Sequence, residues 1–439
     1  MLLLYNSSIF SQIDGMFDTT FATNGQLITT FLPAFAVVAN AIKIQSDSKI
    51  VIAGRQNPSI FFVARYNKDG TQDTTFGTNG FTFTTIPGVS SSGGSDMAIQ
   101  PDGKIIVSGG GILSGSNHNA IVLARYTTSG QLDTTFNSTG IVIIDTGVVG
   151  DFRQRAMIAI NHAGKIVIAT TVGPFGGAPQ GLLAQFLPDG SLDTSFGING
   201  MTTPNLFGGT YTFFFQVQIQ NDQRIIVIGD FSPDGVADQF FVARYTQTGE
   251  LDTSFNRVGY VITSLNVGAA GGGIAGDGKI VAYGSNATPP LYMVRYNMNG
   301  SLDSTFGTGG IGMYEDIGNI VTPSSLAFQT DGKIVVEAGT SVAMQNALGV
   351  IRVNSDGTLD RAFGQNGIAI ASVLGTAGNN TQPRALTIDA NSAITALAVV
   401  MNNAIGIVRL EVESLHHSTL SLALWQRYYN QNIVPKINN

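Results

Sequence analysis

The chain of 439 residues contains no cysteine, which removes disulfides and thiolate chemistry from consideration. Charge is also scarce. Only 12% of residues are Asp, Glu, Lys or Arg, too few for a coiled coil, and 43% are apolar, too many for a disordered chain. No basic run is present, and the formal net charge of −7 repels phosphate backbones, so a nucleic-acid partner is not expected. No stretch reaches the ~18 apolar residues of a membrane helix. The opening Met1-Leu2-Leu3-Leu4-Tyr5 is too short for a signal peptide and lacks its charged n-region. Of the four histidines, only His416 and His417 are neighbours, and their side chains would diverge on a helix, so no metal site is read. The glycine run at 268–273 does not lie between a strand and a helix, and no Gly-Xaa-Ser-Xaa-Gly elbow occurs. The sequence therefore offers no catalytic residue, metal or cofactor.

Glycine, by contrast, is abundant, and its 54 copies recur at fixed offsets, as turn residues do. They belong to an internal repeat, the feature to be sought first in any chain. Gly70-Thr71-Gln72-Asp73-Thr74-Thr75-Phe76 returns around Asp133, Asp193, Asp252, Asp303 and Asp360, with a first copy at Asp18. These aspartates are 55, 60, 60, 59, 51 and 57 residues apart. The turn and strand Asp102-Gly103-Lys104-Ile105 keeps step at Lys49, Lys165, Arg224, Lys279 and Lys333, with a degraded copy at Ala393. So does Val63-Ala64-Arg65-Tyr66, at Arg125, Arg244, Arg295, Arg352 and Arg409, with Gln185 in the third unit. Each unit reads as four short strands, with Asp-Gly as a hairpin signal between two of them. Four strands repeated seven times describe an all-β fold, a seven-bladed propeller of four-stranded antiparallel blades over residues 1–410. A linear solenoid would need atypical capping units at both ends, and only the C-terminal tail is atypical.

The phase of the repeat shows how a ring could close. The turn at Asp18 has no Arg-Tyr strand before it, and the strand at Arg409 has no such turn after it. Residues 26–30 are therefore expected to form the outer strand of the last blade, beside 405–409. Each arginine is expected to grip the aspartate of its own turn with two hydrogen bonds, Arg409 taking Asp18. A carboxylate present in every blade is read as a turn cap and ion pair, because a catalytic group is needed once.

These motifs in this order resemble the bacterial delta-60 repeat family, over nearly the whole chain. The resemblance implies a β-propeller, often secreted or at the cell surface, and transfers no catalytic residue.

Function is expected where the connections vary. The two constant turns fall on one face of the propeller. The loops at 86–96, 145–155, 204–213, 314–323, 110–119, 171–180 and 230–239 fall on the other, where binding residues usually lie. Candidate contacts there are Asp151, Phe152, Arg153 and Arg155; Phe207 and Tyr211, with Phe213; Asp230 and Phe231, with Asp234 and Asp238; and Tyr314. The bland alternative for each is a solvated loop or a filler between blades. Residues 411–439 break the repeat, and Leu422, Trp425 and Tyr429 are spaced for one face of a short helix. The reading is a non-enzymatic binding or scaffold propeller for a peptide, glycan or protein partner. The alternative is a hydrolase or lyase in the central channel, which would require charged groups with perturbed pKa values converging there.

Overall fold

A computed structural model describes residues 15–31, 36–56, 59–150, 155–173, 177–204, 206, 211–232, 238–265, 267–285, 290–317, 320–342, 345–371, 381–400 and 404–412. The segment expected to be a C-terminal helix lies outside them, as do Asp151, Phe152, Arg153, Phe207 and Asp234. Among the described residues no helix is long and apolar enough to cross a membrane.

Among the described residues twenty-eight strands form seven sheets of four antiparallel strands. Blade 1 is β2(Val37–Ile44), β3(Ile50–Gln56), β4(Ile60–Tyr66) and β5(Phe81–Thr85). Blade 2 runs from β6(Val89–Ile99) to β9(Ile141–Val149), blade 3 from β10(Met157–Ile160) to β13(Met201–Thr202), and blade 4 from β14(Tyr211–Ile219) to β17(Tyr260–Thr263). Blade 5 runs from β18(Ala269–Ile274) to β21(Ile311–Tyr314), and blade 6 from β22(Ile320–Phe328) to β25(Ile368–Ala371). Blade 7 joins both ends of the chain. Its outer strand β1(Gln26–Thr30) pairs with β28(Ala404–Leu410), Gln26 opposite Val408 and Thr30 opposite Ala404. With β1 in place blade 7 has the same four strands as the other blades, and the two ends of the chain are joined in one sheet. The apolar core is a set of clusters, each shared by two neighbouring blades.

The repeated residues make the joints between blades. Arg65 donates from Nε to Asp73 Oδ2 at 2.7 Å, and Arg125, Arg244, Arg295 and Arg352 do the same to Asp133, Asp252, Asp303 and Asp360 at 2.7–2.8 Å. The expected two-nitrogen grip is seen at Arg352, whose Nη2 also lies 2.8 Å from Asp360 Oδ2; in the other four pairs Nε makes the contact. The guanidinium spends another N–H on the next blade: Arg65 Nη1 donates to the Thr128 carbonyl at 2.6 Å and Arg125 Nη1 to that of Pro188 at 2.7 Å. The hairpin lysine completes the aspartate, as Lys49 does for Asp73 at 2.9 Å. The phenylalanine of the turn lies beneath the guanidinium, Phe76 at 4.6 Å from Arg65. Its ring also sits against Gly130 of the next blade, where φ is +83° and a Cβ would lie 2.8 Å from the ring, so only glycine fits. In blade 3, Gln185 replaces the arginine, and Asp193 keeps Lys165 at 2.7 Å. At the closure, Arg409 pairs with Asp18 at 3.2 Å and with Asp389 at 2.7 Å.

A second joint reaches the other way. In three joints the tyrosine that follows the arginine meets a threonine on the outer strand of the preceding blade: Tyr66 with Thr29 at 2.8 Å, Tyr126 with Thr84 at 2.9 Å and Tyr296 with Thr263 at 2.6 Å. Elsewhere the pair changes together. Ile144 and Phe186 share one apolar cluster, and Ala371 and Leu410 another. Between blades 5 and 6 the order is reversed, with Tyr314 on the outer strand and Val353 opposite. In one joint the partner is missing. Pro204 stands where threonine would, β13 is only two residues long, and the buried Tyr245 hydroxyl has no hydrogen-bond partner.

Two consequences can be measured. Burial opposes ionisation of Asp73, Asp133 and Asp303, but the hydroxyl and amide of the threonine two residues on, the hairpin lysine and the arginine hold all three far below the usual carboxylate range. Their contribution to stability is therefore full above about pH 4 and is lost as pH falls further. Asp303→Ala leaves Arg295 buried without its carboxylate and should cost about 3–5 kcal/mol in urea denaturation at neutral pH. Pro204→Thr should stabilise the protein by about 1 kcal/mol in a wild-type background and have no effect with Tyr245→Phe.

Candidate functional site: the mouth of the central channel

The first strand of each blade faces the axis, and these seven strands surround one cavity of ≈ 620 Å³. Six of them, β2, β6, β14, β18, β22 and β26(Thr381–Ile388), carry a β-bulge at the same level. A bulge bends its strand and re-aims the extra side chain. Here the extra residues are Asn40, Ser95, Phe215, Ala270, Ser324 and Arg384, and all six line the cavity. The channel wall is thus a ring of independently variable positions on a uniform scaffold.

The charges in this ring are unevenly placed. Lys43, Asp96, Arg155 and Arg384 line the cavity, and an adjoining recess of ≈ 240 Å³ is lined by Arg55, Arg155 and Arg384. Three guanidinium groups from blades 1, 3 and 7 thus meet, although the chain as a whole is acidic. Among the described residues none of the three forms an ion pair. Arg384 donates to Gln382 Oε1 at 2.7 Å, and its Nε is buried without a partner. Burial, then the charges of Arg155 and Arg55, push the Arg384 guanidinium below its usual value.

Glu337 lies behind this cluster, fully buried on β23(Ile334–Val342). Its Oε2 accepts the Ser324 hydroxyl at 2.9 Å, its carboxylate also takes the Arg384 backbone N–H, and its Oε1 has no partner. It thus holds two of the bulged residues. Burial pushes it up to about 8, in spite of those bonds and of the charges of Arg384 and Arg155. Asp96 lines the channel yet is surrounded by protein, and this burial raises it too. Lys43, the amide bonds from Ile158 at 3.2 Å and Met97 at 2.8 Å, and Arg155 oppose the rise. On the opposite side, Phe213 and Phe215 of β14 stack at 6.2 Å with an 11° tilt, and Tyr211 stands exposed at the outer end of the same strand.

The residues singled out from the sequence are dispersed. Arg155 lines both the cavity and the recess, and Tyr211 extends the Phe213–Phe215 pair. Asp230 is buried at the end of β15(Ile225–Ser232), beside Asp238. Phe231 is in the core between blades 3 and 4. Tyr314 is in the core between blades 5 and 6, its hydroxyl donating to the Gly357 carbonyl at 2.8 Å. Segment 86–96, read as a loop, is mostly strand: β6 begins at Val89, and with β7(Ile105–Leu113) and β8(His118–Tyr126) it gives blade 2 long strands. Their alternation is masked in sequence by glycine and serine. Arg55, Lys43, Asp96, Phe215, Glu337 and Arg384 were not singled out. Glu337 had a signal. Three residues after the repeated isoleucine the other units have Ala53, Ser108, Ala169, Ile228, Tyr283 and Leu397, all uncharged. The arginines had none, because only ring closure brings blades 7, 1 and 3 together.

Comparison with known proteins fits this division. Segments 45–76, 100–136, 164–196, 220–255, 275–306 and 329–363 match the family model described as Domain of unknown function (DUF5122) beta-propeller. Each spans the hairpin, the strand of the Arg-Tyr type and the turn of the Asp-Thr-Thr-Phe type, so the shared signature is the joinery, and the bulged inner strands lie outside the matched segments. The chain is a β-propeller repeat protein. The crystal structure of polysaccharide lyase Uly1 is similar over 91% of this chain and 97% of its own, with a TM-score of 0.51 and 10% identity. A polysaccharide lyase of family PL25, an ulvan lyase, is similar over 90% and 99%, with a TM-score of 0.52 and 10% identity. At that identity the likeness concerns the fold. No curated protein matches the sequence.

Glu337 generates a pH test. Its folded value stands above the ~4.3 of an unfolded glutamate, so the folded protein holds the proton more tightly. Its contribution to stability is full below about pH 4 and is lost as pH rises toward about 8. Glu337→Gln should remove that part of the slope, so the stability difference between variant and wild type should grow in favour of the variant over this window in denaturant titrations.

Proposed function

We propose that the chain is a binding propeller of the delta-60 repeat type that takes an acidic glycan into the mouth of its channel. The observation that carries this reading is the meeting of Arg55, Arg155 and Arg384 around one recess with no ion-pair partner among the described residues. Guanidinium forks match carboxylate and sulfate groups with paired hydrogen bonds. A positive mouth on a protein of net charge −7 is a local inversion that draws anions to that spot. The Phe213–Phe215 pair and Tyr211 offer flat apolar faces on which sugar rings can lie. The cavity volume falls in the range of small-ligand pockets, which favours an oligosaccharide segment over a broad protein interface.

A second reading is a lyase or hydrolase in the same channel. Carboxyl groups displaced toward neutrality, as at Glu337 and Asp96, suit proton transfer. Two of the propellers similar in fold are described as polysaccharide lyases. Binding is placed first because Glu337 is fully buried behind Ser324 and does not face the cavity as a free base.

Calorimetric titration with oligouronates, sulfated oligosaccharides and neutral oligosaccharides tests the proposal. Acidic oligosaccharides should bind, and Arg384→Ala and Arg155→Ala should each weaken them by on the order of tenfold or more, since hydrogen bonds to charged groups contribute about 1.5–3 kcal/mol. Binding should also weaken with added salt. Equal affinity for neutral sugars, or arginine variants that bind as wild type does, would refute it. Appearance of the ultraviolet absorbance of an unsaturated uronate during incubation would select the lyase reading.

A further inference from the structure

We infer that the joint between blades 4 and 5, on the variable face and apart from the channel, is a calcium site built by Asp230, Ser232 and Asp238. Asp230 is 5% exposed, and its Oδ1 has no hydrogen-bond partner. The Ala269 backbone N–H donates to its carboxylate. Ser232 is 3% exposed, and its hydroxyl oxygen is also without a partner. Residues two apart on a strand share a face, and the even-numbered residues of β15, Ile226 and Ile228, pack into the cluster shared with blade 5. Asp230 and Ser232 therefore present two unpaired oxygens to the same joint. Buried polar atoms are nearly always paired, so two on one face require an explanation.

Asp238, just before β16(Gln239–Tyr245), brings a second carboxylate to the same place. One oxygen of Asp230 and one of Asp238 lie 3.2 and 3.4 Å from the point where a side chain on Gly268 would begin. Gly268 has no side chain, so the space between the carboxylates stays open. The two carboxylates repel one another across this space. A cation between them would replace that repulsion with attraction. A proton on Asp230 could relieve the repulsion but would leave the Ser232 hydroxyl unpaired. The donors are all oxygen, with no imidazole or thiolate, which selects a hard cation. Calcium tolerates irregular geometry and shared water ligands better than magnesium does. With two carboxylates the affinity belongs to the weak class, about 10⁻⁴–10⁻³ M.

The full-length protein, freed of divalent ions, should be titrated with calcium chloride by calorimetry and by thermal denaturation. Calcium in the millimolar range should raise the melting temperature. Asp230→Asn and Asp238→Asn should each weaken calcium binding by on the order of tenfold or more. Gly268→Ala keeps both carboxylates but fills the space between them, and should lower calcium affinity too. Absence of any calcium response, or a response unchanged in both asparagine variants, overturns the assignment.

Discussion

The buried pair of arginine and aspartate is the interaction on which the ring depends. A propeller has no common core to hold its blades, so each must be fastened to the next across a joint between two sheets. Arginine can do this because one planar group donates in several directions. In blade 1 it holds the aspartate of its own turn, lies over the phenylalanine, and reaches the carbonyl of Thr128 in blade 2. Lysine could not replace it, since its charge is a point and its donors are not fixed in a plane. A buried ion pair adds little when compared with apolar packing, but losing one partner is costly, so the joints specify geometry more than they add stability. The same device closes the ring. Arg409 finds Asp18 from the opposite end of the chain, and β1 completes the sheet that β28 leaves open.

Fastening the blades on one face leaves the other face free. The constant turns carry the lysines, aspartates and arginines in nearly every unit, and their side chains are used up there. The channel wall is built from a different part of the repeat, the inner strand with its bulge. There the residue changes from blade to blade: Asn40, Ser95, Phe215, Ala270, Ser324, Arg384. A rigid ring can hold arginines from three blades together at a recess, where isolated loops would let like charges separate.

The joints also show how a repeat tolerates change. The hydroxyl pair of Tyr126 and Thr84 becomes an apolar pair in Ile144 and Phe186, and a reversed pair in Tyr314 and Val353. In each exchange both residues of the joint change together. Tyr314, which looked from the sequence like an aromatic contact for a ligand, is one half of such an exchange. Phe231, also read as a contact, is packed in the core between blades 3 and 4. A side chain can be unusual within a repeat because its neighbour in space is unusual too, and that neighbour lies about one repeat away.

The sequence by itself determined the number of blades, the four strands in each, the constant face and the manner of closure. These rest on local turn chemistry and on a period, and both are written in the order of residues along the chain. The pairing of Arg409 with Asp18 was legible for the same reason, since an incomplete unit at each end implies the other. Only the tertiary structure decided which residues meet at the channel. Arg55, Arg155 and Arg384 share no motif and no spacing, and they are brought together by the angle between blades. The bulges that aim Ser324 and Arg384 inward, and the burial that sets Glu337 apart, are likewise properties of packed strands. Asp230 could be named from its place in a loop, but its burial against Gly268 of the next blade could not.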